Sequence, residues 1–282
     1  MSSPPQIFDK TLYARRRARA AKTVGDAGFL HRRAMEDIVE RLEIVKRRFD
    51  LAAFDGAGDL TSMLTPACDV EDVISMDLAP ARLPQTGLRL AADAEALPFA
   101  PHSLNLFVSL LTLHTANDLV GALAQARMAL KPDGLFIAAV FGEETLGALR
   151  RAFYAAEAEI TGGVSARVAP FAAIQDCGQA LARAGFALPV VDVDKVAVSY
   201  DDPLKLLRDL RGMGETNTLM NRPGPLRRDV LMRAMALFAE AGGTEKFEIV
   251  YLTGWTPHES QQKPLKPGSA KMSLKDAIKG AS

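Results

Sequence analysis

From residue 48 onwards, short apolar runs alternate with stretches of helical periodicity. The apolar runs are seven candidate strands, at residues 51–54, 73–76, 88–92, 104–111, 135–141, 190–198 and 247–252. Between them, apolar residues recur at helical spacing over 119–130, 145–160, 172–184 and 229–241. Strands that alternate with helices form βαβ crossovers and pack as a mostly parallel sheet with helices on both faces. The pattern predicts a doubly wound α/β domain.

Residues 7–48 are predicted to be helical, because apolar residues such as Phe29, Ile38 and Leu42 recur at helical spacing. This segment also carries a basic cluster of four arginines, namely Arg15, Arg16, Arg17 and Arg19. Three interpretations are open: a solvated helix face, a transit-type targeting segment, or a docking surface for an acidic partner. Acidic residues are interspersed along the segment, whereas transit peptides contain few acids. The sequence therefore favours the solvated face.

The same patterns divide the chain into three parts. Residues 1–48 form a helical extension, residues 49–256 the α/β domain, and residues 257–282 a tail that is rich in proline and glycine near its start. Within the domain, glycine and proline clusters at 211–214 and 221–225 predict loops or inserted lid helices, over about residues 199–245.

Composition excludes several classes of protein. The chain has 34 Lys and Arg against 34 Asp and Glu, so it carries no general attraction for nucleic acid or an anionic membrane. Cys68 and Cys177 stand alone without a Cys/His cluster, which argues against a disulfide scaffold and fits a reducing compartment. The four histidines have no ligand spacing, so no metal site is predicted. No secretory signal and no apolar run long enough to span a membrane is seen.

Candidate chemistry lies after the strands, because ligands of doubly wound sheets bind at the carboxyl ends of the strands. Gly56 and Gly58 follow the first strand, and glycines there let the backbone approach a ligand. Asp77 ends the second strand 21 residues after Gly56, close to the interval at which a carboxylate meets ribose hydroxyls. Asp93 follows the third strand, where it could accept a hydrogen bond from an adenine amino group while the Ala94 amide contacts a ring nitrogen. An ordinary strand-end acid remains the alternative for Asp77.

The order of these motifs resembles the class I S-adenosylmethionine-dependent methyltransferases. Generic to that superfamily are the segments 93–99 (DAEALPF) and 130–134 (LKPDG), the second being a turn before the fifth strand. Within it the chain resembles the carrier-protein O-methyltransferases of biotin synthesis and, more specifically, the assembly factors of respiratory complex I that hydroxylate an arginine. The narrower match rests on four segments: 141–146 (FGEETL), 169–171 (APF), 210–217 (LRGMGETN) and 254–261 (GWTPHESQ).

The resemblance implies a Rossmann-like, seven-stranded methyltransferase fold and S-adenosylmethionine as cofactor. The implied cofactor-binding residues are Gly56, Gly58, Asp77, Leu78, Asp93, Ala94 and Ser109. Phe54 stands where the family has an acid, and Leu60 where it has a third glycine. A side chain at position 60 would crowd the methionine end of the cofactor.

Two residues are candidates for catalysis. His114 follows the fourth strand, where a near-neutral pKa would suit proton transfer, although a histidine that caps the sheet edge is an equal alternative. Glu215 lies in the glycine-containing loop 212–217 and could accept two hydrogen bonds from an arginine guanidinium, unless the loop is only a turn between lid helices. Trp255 at the end of the last strand either stacks on a substrate or, more commonly for such a residue, plugs the domain edge.

The resemblance therefore predicts an enzyme that modifies a protein substrate, such as a complex I subunit, by methylation or arginine hydroxylation. Methyl transfer would proceed by in-line displacement at the sulfonium, with His114 as a base. The first alternative is a non-catalytic assembly chaperone, which Phe54 and Leu60 favour. The second is a carrier-protein O-methyltransferase of biotin synthesis. The expected location is a bacterial cytoplasm, or the matrix side of a mitochondrion in a eukaryote.

Overall fold

A computed structural model describes residues 5–261 of the chain, and these residues form one seven-stranded sheet. In chain order the strands are β1 (Phe49–Asp55), β2 (Val70–Asp77), β3 (Leu88–Ala91), β4 (Leu104–Leu110), β5 (Leu130–Phe141), β6 (Ala187–Ser199) and β7 (Thr244–Trp255). The spatial order is β3-β2-β1-β4-β5-β7-β6, and β7 runs antiparallel to both of its neighbours. The other pairings are parallel. The predicted fold class is confirmed.

Helices cover both faces of this sheet. Three precede it, α1 (Lys10–Ala20), α2 (Val24–Ala27) and α3 (Phe29–Val45), and the others are α4 (Leu119–Ala129), α5 (Gly147–Thr161), α6 (Ile174–Arg183), α7 (Pro203–Met213) and α8 (Arg228–Glu240). Buried side chains of α4 and α6 form one apolar core with one face of the sheet, and those of α3, α5, α7 and α8 form a second core on the other face. This is the layered arrangement that the alternating pattern predicts.

The N-terminal extension supplies part of the second core. Only residues 56–69 connect β1 to β2, and they form two short 3₁₀ turns rather than an α-helix. The covering helix is instead α3, whose buried face repeats every four residues as Leu30, Ala34, Ile38 and Leu42. Because i and i+4 lie on one side of a helix, this spacing turns a continuous apolar stripe towards the sheet.

Three sequence-based expectations are corrected. The helical segment predicted over 7–48 is divided into α1, α2 and α3. The predicted loop at 211–214 is wrong for its first three residues, which are the last turn of α7, and only Gly214 lies beyond the helix with φ of +89°. Segment 130–134 is an irregular start of β5 rather than a separate turn, because Leu130 already pairs with Leu104 and regular pairing resumes at Leu135.

Two further findings concern the ends and the membrane prediction. The predicted tail spans residues 257–282, and residues 262–282 of it lie outside the described residues. Within residues 5–261, no helix combines the length and apolar character needed to cross a membrane.

Candidate functional site

The carboxyl ends of β1 and β4 meet at a buried acid, Asp55. It is the last residue of β1, is 2% exposed and lies opposite Ser109 of β4. The hydroxyl of Ser109 donates a hydrogen bond to Asp55 Oδ2 at 3.1 Å, and the hydroxyl of Thr112 donates a second one. The resemblance had placed the acid position at Phe54, which is fully buried in the apolar core. The strand-end acid is therefore present, one residue later than expected.

Burial raises the pKa of Asp55 to about 6. The hydrogen bond from Thr112 opposes this effect, while the negative charge of Asp77 adds to it. Asp55 consequently titrates close to neutral pH, unlike an exposed aspartate.

Asp77, at the end of β2, forms a fully buried ion pair with Arg17 of α1. The guanidinium donates from Nη2 to Oδ2 at 2.6 Å and from Nε to Oδ1 at 3.1 Å, and the amide of Ala79 donates to Oδ1 at 2.8 Å. Burial lowers the pKa of Arg17, but Asp77 and the neighbouring anionic groups outweigh this effect and hold it well above its ordinary value. For Arg17 the predicted solvated face is wrong, because the side chain has no exposed surface.

Three of the predicted cofactor-binding residues line a small cavity of about 10 Å³, which is room for about one water molecule. Leu78, Asp93 and Ala94 line it from the sheet, and three side chains of α1 close it, namely Lys10, Tyr13 and Arg17. Lys10 Nζ lies 3.2 Å from Asp93 Oδ1 and also pairs with Glu95. Both carboxylates that were expected to bind adenosine are thus paired with cations of α1.

The glycine loop beside this cavity has the predicted backbone freedom. Gly56 and Gly58 have φ of +77° and +54°, in the left-handed region that favours glycine. A Cβ on Gly56 would lie 2.4 Å from Cγ2 of Thr112, so no side chain fits there. Leu60 packs against the core that α3 covers and also lines a separate polar cavity of about 440 Å³.

His114 and Glu215, the two predicted catalytic residues, lie together. His114 Nε2 is 3.0 Å from Glu215 Oε2, and both line a cavity of about 270 Å³. The imidazole packs edge-on against Phe141 and Phe171, with ring centroids 4.9 and 5.7 Å away. Most of the cavity wall is apolar, so one buried carboxylate faces mainly hydrocarbon surroundings.

The charge of Glu215 is held by its neighbours. Burial raises the pKa of Glu215, but the interactions with His114 and the charge of Arg17 outweigh it, and the net pKa is below the ordinary value. Oε1 has no hydrogen-bond partner among the described residues; Arg17 Nη1 and His31 Nε2 are 3.9 and 3.8 Å away. Burial, reinforced by the charge of Arg82, lowers the pKa of His31 to about 3, so its imidazole is neutral.

Comparison with known proteins identifies the superfamily. Residues 51–138 match a family model described as a methyltransferase domain. The chain is 36% identical to the arginine-hydroxylase NDUFAF5, mitochondrial, of Danio rerio, over 97% of this chain and 90% of that protein. The human protein of the same name is also 36% identical, over 95% and 82%. This chain belongs to the class I methyltransferase superfamily, in the group of these arginine hydroxylases.

Other members of the superfamily give a weaker match. The malonyl-[acyl-carrier protein] O-methyltransferase of Methylovorus sp. is 31% identical, over 91% of this chain and 92% of that enzyme. Among solved structures, the YcgJ protein of Bacillus subtilis has a TM-score of 0.54 at 14% identity, covering 80% of this chain and 99% of that one. The structural likeness concerns the fold.

Membership of this superfamily supports the predicted cofactor, S-adenosylmethionine, and the residue types at the strand ends suit it. Asp77 and Asp93 are carboxylates able to accept from hydroxyl and amino groups, and Gly56 and Gly58 carry no side chain that would keep a ligand from the loop backbone. The space does not fit, however, because Arg17 occupies both oxygens of Asp77 and the cavity at Asp93 and Leu78 measures only about 10 Å³. A ribose cannot reach Asp77 unless Arg17 leaves.

Sequence reasoning missed three residues of this site: Asp55, Tyr13 and Arg17. One signal for Arg17 was present, since Tyr13, Arg17 and Ala20 fall at i, i+4 and i+7 and all three are buried in α1. Trp255 pairs with Leu135 of β5 and Ala187 of β6, at the end of the sheet that is opposite to the carboxyl ends of the parallel strands. Within residues 5–261, no group of three or more His, Cys, Asp or Glu side chains is placed to hold a metal ion.

Proposed function

We propose that this protein modifies an arginine side chain of a protein substrate during the assembly of respiratory complex I. The 36% identity to proteins named arginine hydroxylase, extending over nearly the whole chain, supports the residue type of the acceptor. The proposed location follows the same comparison: the matrix side of a mitochondrion, or the cytoplasmic side of the membrane in a bacterium.

The observation that carries the proposal is the carboxylate of Glu215 in the apolar cavity. Its Oε2 is engaged by His114, whereas Oε1 has no hydrogen-bond partner among residues 5–261. A guanidinium is a planar donor that matches a carboxylate, and its aliphatic stem suits apolar walls. An acceptor arginine that enters this cavity can therefore pair with Glu215 while its methylene groups contact the cavity wall.

His114 is a positioning residue in this proposal. Its bond to Oε2 fixes the rotamer of Glu215, and its ring is in turn held between Phe141 and Phe171. Replacing His114 by Asn is expected to weaken substrate binding, because Glu215 keeps its carboxylate but loses the hydrogen bond that orients it.

Mass spectrometry of complex I subunits tests the proposal. Arginine-containing peptides are compared between cells that lack the gene and cells complemented with the wild type, Glu215→Gln, or the exposed control Glu259→Gln. Loss of a charged hydrogen bond costs about 1.5–3 kcal/mol, which corresponds to roughly a 10–100-fold lower yield of modified peptide under limiting enzyme. The added mass distinguishes methylation from hydroxylation.

The results separate the enzyme from its alternatives. The proposal requires a modified arginine that depends on the gene, persists with Glu259→Gln and declines with Glu215→Gln. A complex I that assembles equally well with Glu215→Gln and carries no such modification would favour the assembly chaperone, for which the closed state of Asp77 is the supporting observation. Rescue of biotin-free growth in a strain lacking the corresponding methyltransferase would favour the malonyl-carrier reaction.

A further inference from the structure

Helix α1 places a cation on each of two carboxylates at the strand ends. Arg17 binds Asp77 through two hydrogen bonds, and Lys10 binds Asp93 at 3.2 Å. These aspartates follow β2 and β3, at the edge of the sheet where ligands of doubly wound folds bind. Cations of the chain itself thus occupy the two carboxylates that would accept hydrogen bonds from the hydroxyl and amino groups of a ligand.

Arg17 also stands between two cavities. Its side chain lines the small cavity while its Nη2 and Nε bind Asp77, and its Nη1 lies 3.9 Å from Oε1 of Glu215, which lines the apolar cavity. Nη1 is additionally hydrogen-bonded to the hydroxyl of Tyr13 at 3.2 Å. The guanidinium therefore borders the small cavity and lies beside the carboxylate that lines the apolar one.

The remaining contacts hold α1 over the cleft between the carboxyl ends of β1 and β2, mainly through hydrogen bonds rather than through a large apolar interface. The amide of Asp9 donates to the carbonyl of Thr218 at 2.8 Å, and Arg16 donates to the carbonyl of Asn217. Gly214 lets the helix approach, because a Cβ there would lie 3.3 Å from that of Ala20. The only buried side chains of the helix are those of Tyr13, Arg17 and Ala20, so few apolar contacts oppose its displacement.

We infer that α1 is an intramolecular gate, and that Arg17 must release Asp77 before a ribose-bearing ligand binds there and before the two cavities connect. The apparent affinity for such a ligand then equals the intrinsic affinity multiplied by the fraction of molecules in which the gate is open. The inference concerns the ligand side of the site and is independent of which acceptor enters the apolar cavity, so it can fail while the proposed function stands.

Calorimetry with S-adenosylhomocysteine and with adenosine is the first test. Arg17→Ala, which removes both the guanidinium and its volume, is compared with the wild type and with Arg19→Ala, an exposed arginine of the same helix. We expect Arg17→Ala to bind both probes at least tenfold more tightly than the wild type, and Arg19→Ala to bind like the wild type. Adenosine lacks a carboxylate, so a tightening seen with both probes comes from the ribose side.

Three results would overturn the inference. Weaker binding of S-adenosylhomocysteine by Arg17→Ala would make Arg17 a ligand of the bound molecule. Unchanged affinity would mean that the pair does not limit access. Absence of binding to any variant at millimolar concentration of either probe would make the Arg17–Asp77 pair a permanent part of the fold.

Hydrogen exchange on the wild-type protein gives an answer that does not depend on the stability of a variant. Saturating S-adenosylhomocysteine is expected to accelerate exchange of the α1 amides between residues 13 and 20, because the helix leaves its seat. Exchange in α4, on the other face of the sheet, serves as the internal reference. Slower or unchanged exchange of α1 with bound ligand would refute the gate.

Discussion

Replacing Asp55 by Asn is expected to stabilise the protein above neutral pH. Burial raises the pKa of Asp55 from an ordinary value of 3.8 to about 6, so the folded state binds this proton more tightly than the unfolded chain does. The stabilisation from the protonated form is fully present below about pH 4, and it is lost as the pH rises through 6. At pH 8 the ionised carboxylate therefore lowers the free energy of unfolding.

The magnitude follows from the shift. A difference of about two pKa units corresponds to roughly 3 kcal/mol, and about half of it develops between pH 5 and pH 8. Asn has nearly the shape of Asp, and its carbonyl oxygen can still accept the hydrogen bonds from Ser109 and Thr112. Asp55→Asn removes the ionisation while keeping these contacts.

Urea unfolding at several pH values measures the effect. The difference in unfolding free energy between Asp55→Asn and the wild type should be near zero at pH 4 and rise to about 3 kcal/mol at pH 8. Asp59→Asn, an exposed change on the next turn, is the control and should leave the wild-type profile unchanged. A difference that does not vary with pH, or a variant that is less stable at pH 8, would show that Asp55 is not held in a destabilising charged form.

Three further changes test the packing around the site. Arg17→Met should lower the free energy of unfolding by about 3–5 kcal/mol, because it removes both guanidinium hydrogen bonds from buried Asp77 and leaves only Arg82, 3.9 Å away, as a cation beside it. The double variant Arg17→Met/Asp77→Asn should recover most of that loss in urea unfolding; additive losses would contradict it. Gly214→Ala should lose about 1–3 kcal/mol, more than Gly162→Ala, since both have positive φ but only Gly214 faces a neighbouring helix. Glu245→Ala should lower the thermal midpoint, because it leaves two first-turn amides of α5 without their buried acceptor; an unchanged midpoint would mean that water replaces it.

The fold was largely predictable because the strands are buried on both faces. Residues 135–141 form an unbroken apolar run, which is typical of a central strand of a parallel or mixed sheet, and all of them are buried in β5. Within the predicted lid region, the end of α7 was misjudged for a local reason. Its buried face, with Leu206 and Leu210, has helical spacing, but Gly212 suggested a loop. Gly212 lies inside the helix, and it is a glycine because a Cβ at this position would lie 2.6 Å from that of Ala27.

The types of residue at the site could be predicted from the sequence, but which of them contact one another could not. His114 and Glu215 were each identified from their positions after a strand and in a glycine-containing loop, yet they are 101 residues apart and nothing local indicates that they touch. Asp55 was overlooked because the family pattern was aligned on the glycines, which assigned the acid position to Phe54. The basic cluster was assigned to a solvated face because acidic residues are interspersed along the segment. Burial of Arg17 was not foreseen, since a buried arginine needs a partner and Asp77 is distant in sequence.

The brevity of the connection between β1 and β2 explains why the N-terminal helices are part of both core and site. The fourteen residues between these strands form two 3₁₀ turns and no α-helix, so that face is covered by α3. With α3 packed there, the chain that precedes it has to run over the carboxyl ends of β1 and β2, which is where α1 lies. The predicted boundary at residue 48 stays a prediction about domains, but contacts across it fill the core and close the cleft.

A ligand that opens the cleft therefore acts on α1, and through the short α2 on the end of α7, where Gly212 contacts Ala27 and Glu215 follows two residues after the helix. In this way the same few residues connect occupancy of the strand ends to the position of the carboxylate in the apolar cavity.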